Sequence, residues 1–407
     1  MTIHLKPARR PKPVMAGCFI LVVHVLHGFY SNLRNTWWSQ SNLLSLEWQK
    51  AACRCGNEST RQITDLDNRR NDTVGDSKVP DSSESIKMLF RGLPLSNDPL
   101  IQPLILKNFF RRQGGSLARS DIVLATQMGT SKFNALLTQL QYWNGPASVA
   151  IYVKTESDID QIFNFTQHNK QALQNTSLHL VMERTTELKY PHNILRNVAT
   201  EGVESDFFLA MDVDLIPLPA NCHNRLHDTM AAIEDSKKRS TLFVLPSFSL
   251  LRRKNESVST PDRLPLSKSD TVEMVKKKEV EQFWARIQGI QGPTQYMKWM
   301  KNLNASSSTY NIQVKFRQTE LYEPYVVAFK PGIPRYLEEF RGFGLNKISF
   351  FRETYRAGYR YSVLNDFYCV HLDHPKVSSD AKQKEGRANE EAWKRIHQSY
   401  MLPKYGK

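Results

Sequence analysis

Two carboxylates one residue apart, Asp212 and Asp214, follow directly on the apolar run Phe207-Phe208-Leu209-Ala210. Acid at the mouth of a buried run needs a counter-charge, because two unpaired carboxylates beside a core are costly. If the run continues as a strand, its period of two sends Asp212 and Asp214 to one side and Val213 back into the core. Oxygen donors gathered in this way suit Mn²⁺ or Mg²⁺ shared with a substrate phosphate. The same spacing also fits a strand-to-turn junction, where an aspartate caps a helix or solvates a loop. His371 ends an apolar stretch and could supply a third ligand or serve as a structural histidine. Arg196 could clamp a diphosphate in its planar fork or lie on the surface. Glu323 and Asp366 are carboxylates able to take a proton from a hydroxyl.

The elements that must position these groups are legible as alternating apolar patterns. Residues 121–126 read as a buried strand, and Phe133, Leu136, Leu137, Leu140 and Trp143 then share one helical face. A strand is predicted over 147–153, a helix over 157–168 with Ser157 as its N-cap, and a strand over 178–182. Ile194, Leu195, Val198 and Ala199 make one face of a further helix, which leaves Arg196 and Asn197 to point elsewhere. The acidic strand is then the fourth. This order predicts an α/β fold, Rossmann-like, with a mostly parallel central sheet flanked by helices. In such a sheet ligands collect at the carboxyl ends of the strands, where the acid pair would lie. Further along, a helical piece runs to residue 238, a strand covers 241–246, and 250–278 reads as a polar loop or insertion. Strands follow at 322–329 and within 361–375, and between them Gly342 and Gly344 permit close backbone approach beside the polar pair Asn346 and Lys347.

With 407 residues and 40% hydrophobic content the chain can bury a proper core. Its 55 Lys and Arg against 40 Asp and Glu leave a formal charge of +15, which raises the question of a polyanionic partner. The basic residues fall in short scattered clusters without zinc-finger, RNP or basic-zipper spacing, which reads as a solvated basic surface and not as a nucleic-acid site. Lys6, Arg9, Arg10 and Lys12 precede an uncharged run over 14–33. Together they predict a cytosolic tail over 1–14 and an anchor over 15–33, with the rest of the chain across the membrane. A cleaved secretory segment is the alternative, and the absence of a small-x-small site after the run favours the uncleaved anchor. Residues 34–117, rich in Ser, Asn, Asp and Arg, read as a stem, with apolar patches over 86–95 and 100–110 able to dock on the body at 118–407. Six sequons, at Asn57, Asn71, Asn164, Asn175, Asn255 and Asn304, agree with a luminal body. Cys222 and Cys369 could pair with each other, and Cys53 with Cys55 could bridge to a second chain, leaving a homodimer open.

The ordered series YPHNILRNVA, DFFLAMDVDLIPLP, YEPYVV, RGFGLNK and VLNDFYCVHLDHP resembles glycosyltransferase family 49, which includes the glucuronyltransferase domain of the LARGE enzymes and β-1,4-glucuronyltransferase. The similarity runs over residues 120–406 and is looser across 250–320. It implies a GT-A fold, an inverting Mn²⁺-dependent transfer from a UDP-sugar to a glycan or glycoprotein acceptor, and a single-pass type II protein of the Golgi membrane. Asp212, Asp214 and His371 become the implied metal ligands, with Thr126, Arg196, Asn197, Asp212 and Lys347 at the donor. Glu323 is the first candidate for the base and Asp366 the second, while Tyr322 and Asn346 are assigned to the acceptor. Where the family tends to read PAFE, this chain has Pro246-Ser247-Phe248-Ser249, and the missing carboxylate bears on the identity of the acceptor and on the sugar transferred. Glucuronic acid is the expected donor sugar, xylose or N-acetylglucosamine the alternatives, and a silent glycan-binding relative the reading from another class.

Overall fold

The structure is a computed structural model that describes residues 82–98, 101–254, 256, 260–285, 290–303, 306–315, 321–373 and 379–406. The predicted tail and anchor, the sequons at Asn57, Asn71, Asn255 and Asn304, and Cys18, Cys53 and Cys55 lie outside these residues. No helix among the described residues is long and apolar enough to cross a membrane.

The compact unit begins at Val79, so the segment read as the end of a stem is part of the body. Helix α1 (Ser83–Gly92) buries Ile86 and Phe90, and strand β1 (Leu104–Phe110) pairs antiparallel at one edge of the main sheet. The predicted alternation then follows as β2 (Ile122–Gly129), α2 (Phe133–Trp143), β3 (Ala147–Val153), α3 (Glu156–His168), β4 (Thr176–Met182), α4 (His192–Glu201) and β5 (Phe207–Ala210). Helix α3 starts one residue before the predicted Ser157, and its cap is Thr155. The Thr155 side chain accepts from the Asp158 amide while Asp158 reaches back, a capping box that satisfies donors a serine alone would leave open.

The chain continues through β6 (Leu215–Leu218), α5 (Cys222–Ala231), β7 (Thr241–Leu245), β8 (Ser247–Leu250), α6 (Lys268–Lys276), β9 (Val280–Gln282), β10 (Thr309–Ile312), β11 (Tyr325–Phe329), α7 (Asn346–Arg356), β12 (Arg360–Leu364), β13 (Tyr368–Leu372) and α8 (Ser379–Ile396). The main sheet has nine strands in the order β1-β4-β3-β2-β5-β11-β7-β12-β10. The run β4-β3-β2-β5 is parallel, whereas β11 lies antiparallel to both β5 and β7. The expectation of a mostly parallel sheet therefore holds for one half only. Strand β11 arrives after a long excursion instead of a βα crossover, and so enters from the opposite end. A second sheet, β6-β13-β8-β9, was not anticipated. Its edge strand β6 carries Pro217, at the place in a sheet where a missing amide costs least. Within the segment read as polar loop, α6 starts at a capping box formed by Ser267 and Asp270.

Period-two alternation divides the core into two layers. Leu124, Val149, Ile151, Leu180 and Leu209 face α1, α2, α3 and α5, and Val123, Ala150, Val181, Phe208 and Val326 face α4 and α7. Each fully buried side chain of this size contributes roughly 1.5–3 kcal/mol, which makes the sheet a rigid platform. Cys222 and Cys369 are buried free thiols, not a disulfide. Asn164 and Asn175, the two described sequons, are exposed on α3 and on the turn before β4.

Candidate active site

Asp212 and Asp214 do not extend β5. The strand ends at Ala210, and both carboxylates sit in the turn that leads into β6. Gln139 of α2 fixes this turn by donating to the carbonyls of Asp212 at 2.9 Å and Leu215 at 2.7 Å. The two side chains consequently part company instead of sharing one side of a strand.

Asp212 faces a cleft of about 360 Å³ at the carboxyl ends of β2 and β5, lined by Thr126, Arg196, Tyr325, Tyr336 and Lys347 among others. Arg196 Nη2 donates to Asp212 Oδ1 at 3.0 Å. Lys347 Nζ donates to Oδ2 at 2.9 Å, and the Tyr325 hydroxyl donates to the same oxygen at 3.0 Å. Burial alone would raise the Asp212 pKa, but the Lys347 ammonium and the Arg196 guanidinium hold it well below the usual carboxylate range. For Arg196 burial pulls the other way, and Asp212 keeps the guanidinium charged. Burial pushes the Tyr325 hydroxyl up, as does the nearby Asp212 charge, so it stays protonated. Thr126 Oγ1 is buried in the lining without a hydrogen-bond partner, an atom able to receive or give a hydrogen bond to whatever fills the cleft.

Asp214 turns toward the second sheet. Its Oδ2 lies 3.6 Å from Lys132 Nζ and 3.9 Å from His371 Nε2 on β13. A carboxylate oxygen and an imidazole nitrogen at this separation are donors that Mn²⁺ accepts, so the pair fits a divalent ion. Asp212 already answers two cations, and among the described residues no three His, Cys, Asp or Glu side chains surround one point. Ser249 of β8 is in register with His371, which locates the missing carboxylate of the Pro-Ser-Phe-Ser run beside that histidine.

The remaining assignments divide. Glu323 is near the cleft, its Oε2 3.6 Å from Lys347 Nζ. Asp366 is exposed in the turn between β12 and β13, where its charge acts on Lys268, and it is absent from the cleft lining. Asn197 does not line the cleft. Its amide donates to Tyr336 O at 2.9 Å and Glu338 Oε1 at 2.7 Å while its own oxygen accepts from the Tyr336 amide, so it staples α4 to the loop below the site. Asn346 is buried, with its oxygen taking Arg196 Nη1 at 2.9 Å and its amide given to Gly342 O. It aims Arg196 from a buried position. Tyr322 is completely buried against Thr294, 2.9 Å from hydroxyl to hydroxyl, and is a packing residue. The pattern missed Tyr325, three residues on in the same motif, and Tyr336, whose ring lies 5.7 Å from the Arg196 guanidinium carbon.

A family model described as glycosyl-transferase for dystroglycan matches residues 166–406. The chain belongs to that family. Glycosyltransferase-like protein gnt14 of Dictyostelium discoideum is 28% identical over 256 residues, which cover 62% of this chain and 37% of that protein. Beta-1,4-glucuronyltransferase 1 of Danio rerio is 29% identical over 46% of this chain and 41% of its own length. Xylosyl- and glucuronyltransferase LARGE1 of Mus musculus is 25% identical over 64% of this chain and 32% of its own. The matched region thus spans only 32–41% of the length of these relatives. The solved structure of S. aureus TarS 1-349 in complex with UDP-GlcNAc is 15% identical with a TM-score of 0.36, covering 65% of this chain and 64% of that one, a likeness too slight to bear on function.

Proposed function

We propose that the chain transfers a sugar from a UDP-sugar to a glycan hydroxyl with inversion, on a GT-A fold in the Golgi lumen, held there by the segment over 15–33 as a type II anchor. The observation that carries this reading is the half-buried Asp212 carboxylate set between the buried Arg196 and Lys347 in a cleft at the carboxyl ends of β2 and β5. A fixed pair of cations there suits the diphosphate of a sugar nucleotide or the carboxylate of glucuronic acid. Family membership and the named activities of the relatives support glucuronic acid as the sugar, with xylose or N-acetylglucosamine as alternatives that the Ser249 departure keeps in play.

In this reading Arg196 and Lys347 hold the donor, Thr126 meets it at the end of β2, and Tyr325 keeps Lys347 and Asp212 in register. Asp214 and His371 would hold Mn²⁺ or Mg²⁺. That ion, when bound, offsets the charge that develops on the diphosphate. Glu323 takes the proton of the acceptor hydroxyl as its oxygen bonds to the anomeric carbon, and UDP departs with the bonding pair on the opposite face.

Purified chain should release UDP from UDP-glucuronic acid in a panel of UDP-sugars, with Mn²⁺ required. Lys347→Met should reduce that release by roughly a hundredfold, the order expected for one preorganised charge at a transferring group. Failure to bind or consume any UDP-sugar would sink the reading. Turnover of UDP-xylose or UDP-N-acetylglucosamine alone would redirect it within the class.

A further inference from the structure

Among the described residues helix α8 contributes none to the cleft lining, yet it grips the loop that leads into it. Over residues 341–345 the backbone takes left-handed dihedrals at Gly342 (φ 67°), Gly344 (φ 92°) and Leu345 (φ 57°). The last of these is strained, since an L side chain in that region costs roughly 1–2 kcal/mol. A strained conformation persists only where its surroundings over-determine it. Here the surroundings are α8. Asn389, buried, turns its amide nitrogen to three loop carbonyls at once: Arg341 at 2.9 Å, Phe343 at 2.9 Å and Gly344 at 2.8 Å. One turn earlier, Glu385 Oε2 accepts from the Phe343 amide at 2.8 Å. The fit is close enough that a Cβ on Gly344 would stand 3.2 Å from the Gly386 Cα, and one on Gly342 would stand 2.6 Å from the Glu385 carboxylate.

The residues that follow are those the cleft depends on. Helix α7 begins at Asn346, whose oxygen aims Arg196 and whose amide returns to Gly342 O, and the next residue is Lys347. A shift of the loop carries both with it, and a misplacement of about 1 Å at a reacting centre can cost 10²-fold.

We propose that Asn389 is a positioning residue of the sugar-nucleotide site: by tying three carbonyls of the 341–345 loop to α8, it sets where α7 starts and so where Lys347 and Arg196 meet the donor. The inference rests on the reading of Lys347 as a donor ligand, and it makes helix α8 part of the donor site without touching it. The control is Tyr400, whose hydroxyl ties the tail after α8 to Glu353 of α7 at 2.7 Å and contacts no residue of the loop.

The test is calorimetric titration of UDP in the presence of Mn²⁺, on the full chain and its variants, with melting temperatures recorded alongside. Asn389→Ala should weaken UDP binding about tenfold, a loss of positioning short of a lost contact, whereas Tyr400→Phe should lower the melting temperature and leave UDP affinity unchanged. In the double variant with Lys347→Met, Asn389→Ala should cost clearly less than it does alone, because the part of its effect that runs through Lys347 is silent once that residue is gone and only the part through Arg196 remains. Wild-type affinity in Asn389→Ala, or additive losses in the double variant, would overturn the inference and leave the donor-site reading standing. Wild-type affinity in Lys347→Met would bring down the reading and this inference together. If Asn389→Ala does not fold, Glu385→Ala, which frees the Phe343 amide from the same helix, should weaken UDP about threefold, and unchanged affinity there overturns the inference equally.

Discussion

Two buried polar clusters share the parallel half of the main sheet, and they are built on opposite principles. At the carboxyl edge, Asp212, Arg196, Lys347 and Tyr325 form a charged group beside an unpartnered Thr126 hydroxyl. Between β3, β4 and α4, His179 joins a neutral chain. Its Nδ1 accepts from the Asn108 amide at 2.9 Å, its Nε2 meets the Ser148 hydroxyl at 3.0 Å, and that hydroxyl donates to Ala199 O at 2.6 Å. Every hydrogen in this second chain has a protein acceptor, and Gly202 packs so closely that any side chain there would collide with the imidazole. Burial and polarity alone therefore do not mark a site. What separates the two is charge, the cations Arg196 and Lys347 gathered on Asp212 with Glu323 at 3.6 Å, together with an open atom at a cleft.

The largest effect should come from breaking the charged cluster at its centre. Asp212→Asn leaves the buried Arg196 without its anion and Lys347 with Glu323 at 3.6 Å, which costs on the order of 3 kcal/mol of stability, and it should abolish measurable transfer. Asp214→Asn is its neighbour's opposite. Its ion pairs to Lys132 and His371 are long, 3.6 Å and 3.9 Å, and their loss should cost under about 1 kcal/mol of stability while transfer and Mn²⁺ affinity fall together. Denaturant unfolding and Mn²⁺ titration of the two variants separate these roles. Equal stability losses would erase the distinction drawn between the two carboxylates.

The neutral cluster should show itself in acid. Burial, and then the Lys107 charge, lower the His179 pKa from 6.5 to about 4. Between those values the unfolded chain binds a proton that the folded chain refuses. The stability contributed by the neutral ring is thus complete above pH 6.5 and disappears as pH falls to 4, a loss on the order of 3 kcal/mol. The difference in unfolding free energy between wild type and His179→Asn should shrink by about that amount across the window, with UDP affinity at pH 7 unchanged. A difference that stays constant with pH would mean His179 is not held neutral.

The sequence carried more of the charged cluster than of its scaffold. Arg196 and Asp212 stand out as charges against apolar faces, Thr126 and Lys347 come from the family motifs, and all four line the cleft. Asn197 and Asn346 are just as polar, but their partners, Tyr336 and Arg196, are 139 and 150 residues away, and no local pattern says that such amides are already spent. The second sheet was invisible because β6, β8 and β9 are only four, four and three residues long, too short for a period to register. Helix α6 could have been found, since Ser267-x-x-Asp270 is a capping signal inside the stretch read as loop.

The smallest effect is also the finest test of that contrast, and it lies within one motif. Tyr322 and Tyr325 flank Glu323 and Pro324, and both are buried phenols whose pKa values burial drives well above the usual range. The Tyr322 hydroxyl meets Thr294, a neutral group 28 residues away, while the Tyr325 hydroxyl accepts from Lys347 at 2.8 Å and donates to Asp212. Removing the first oxygen takes a partner from the Thr294 hydroxyl, about 1 kcal/mol, at a residue that is not among those lining the cleft. Removing the second loosens Lys347 and Asp212 from one another, which should lower kcat/KM several-fold at a comparable cost in stability, since a hydrogen bond to a charged group is worth roughly 1.5–3 kcal/mol. Steady-state kinetics of Tyr322→Phe and Tyr325→Phe, each paired with an unfolding curve, give the comparison directly. Should Tyr322→Phe raise KM for an acceptor with no change in stability, the acceptor role expected from the sequence would be restored and the packing role withdrawn.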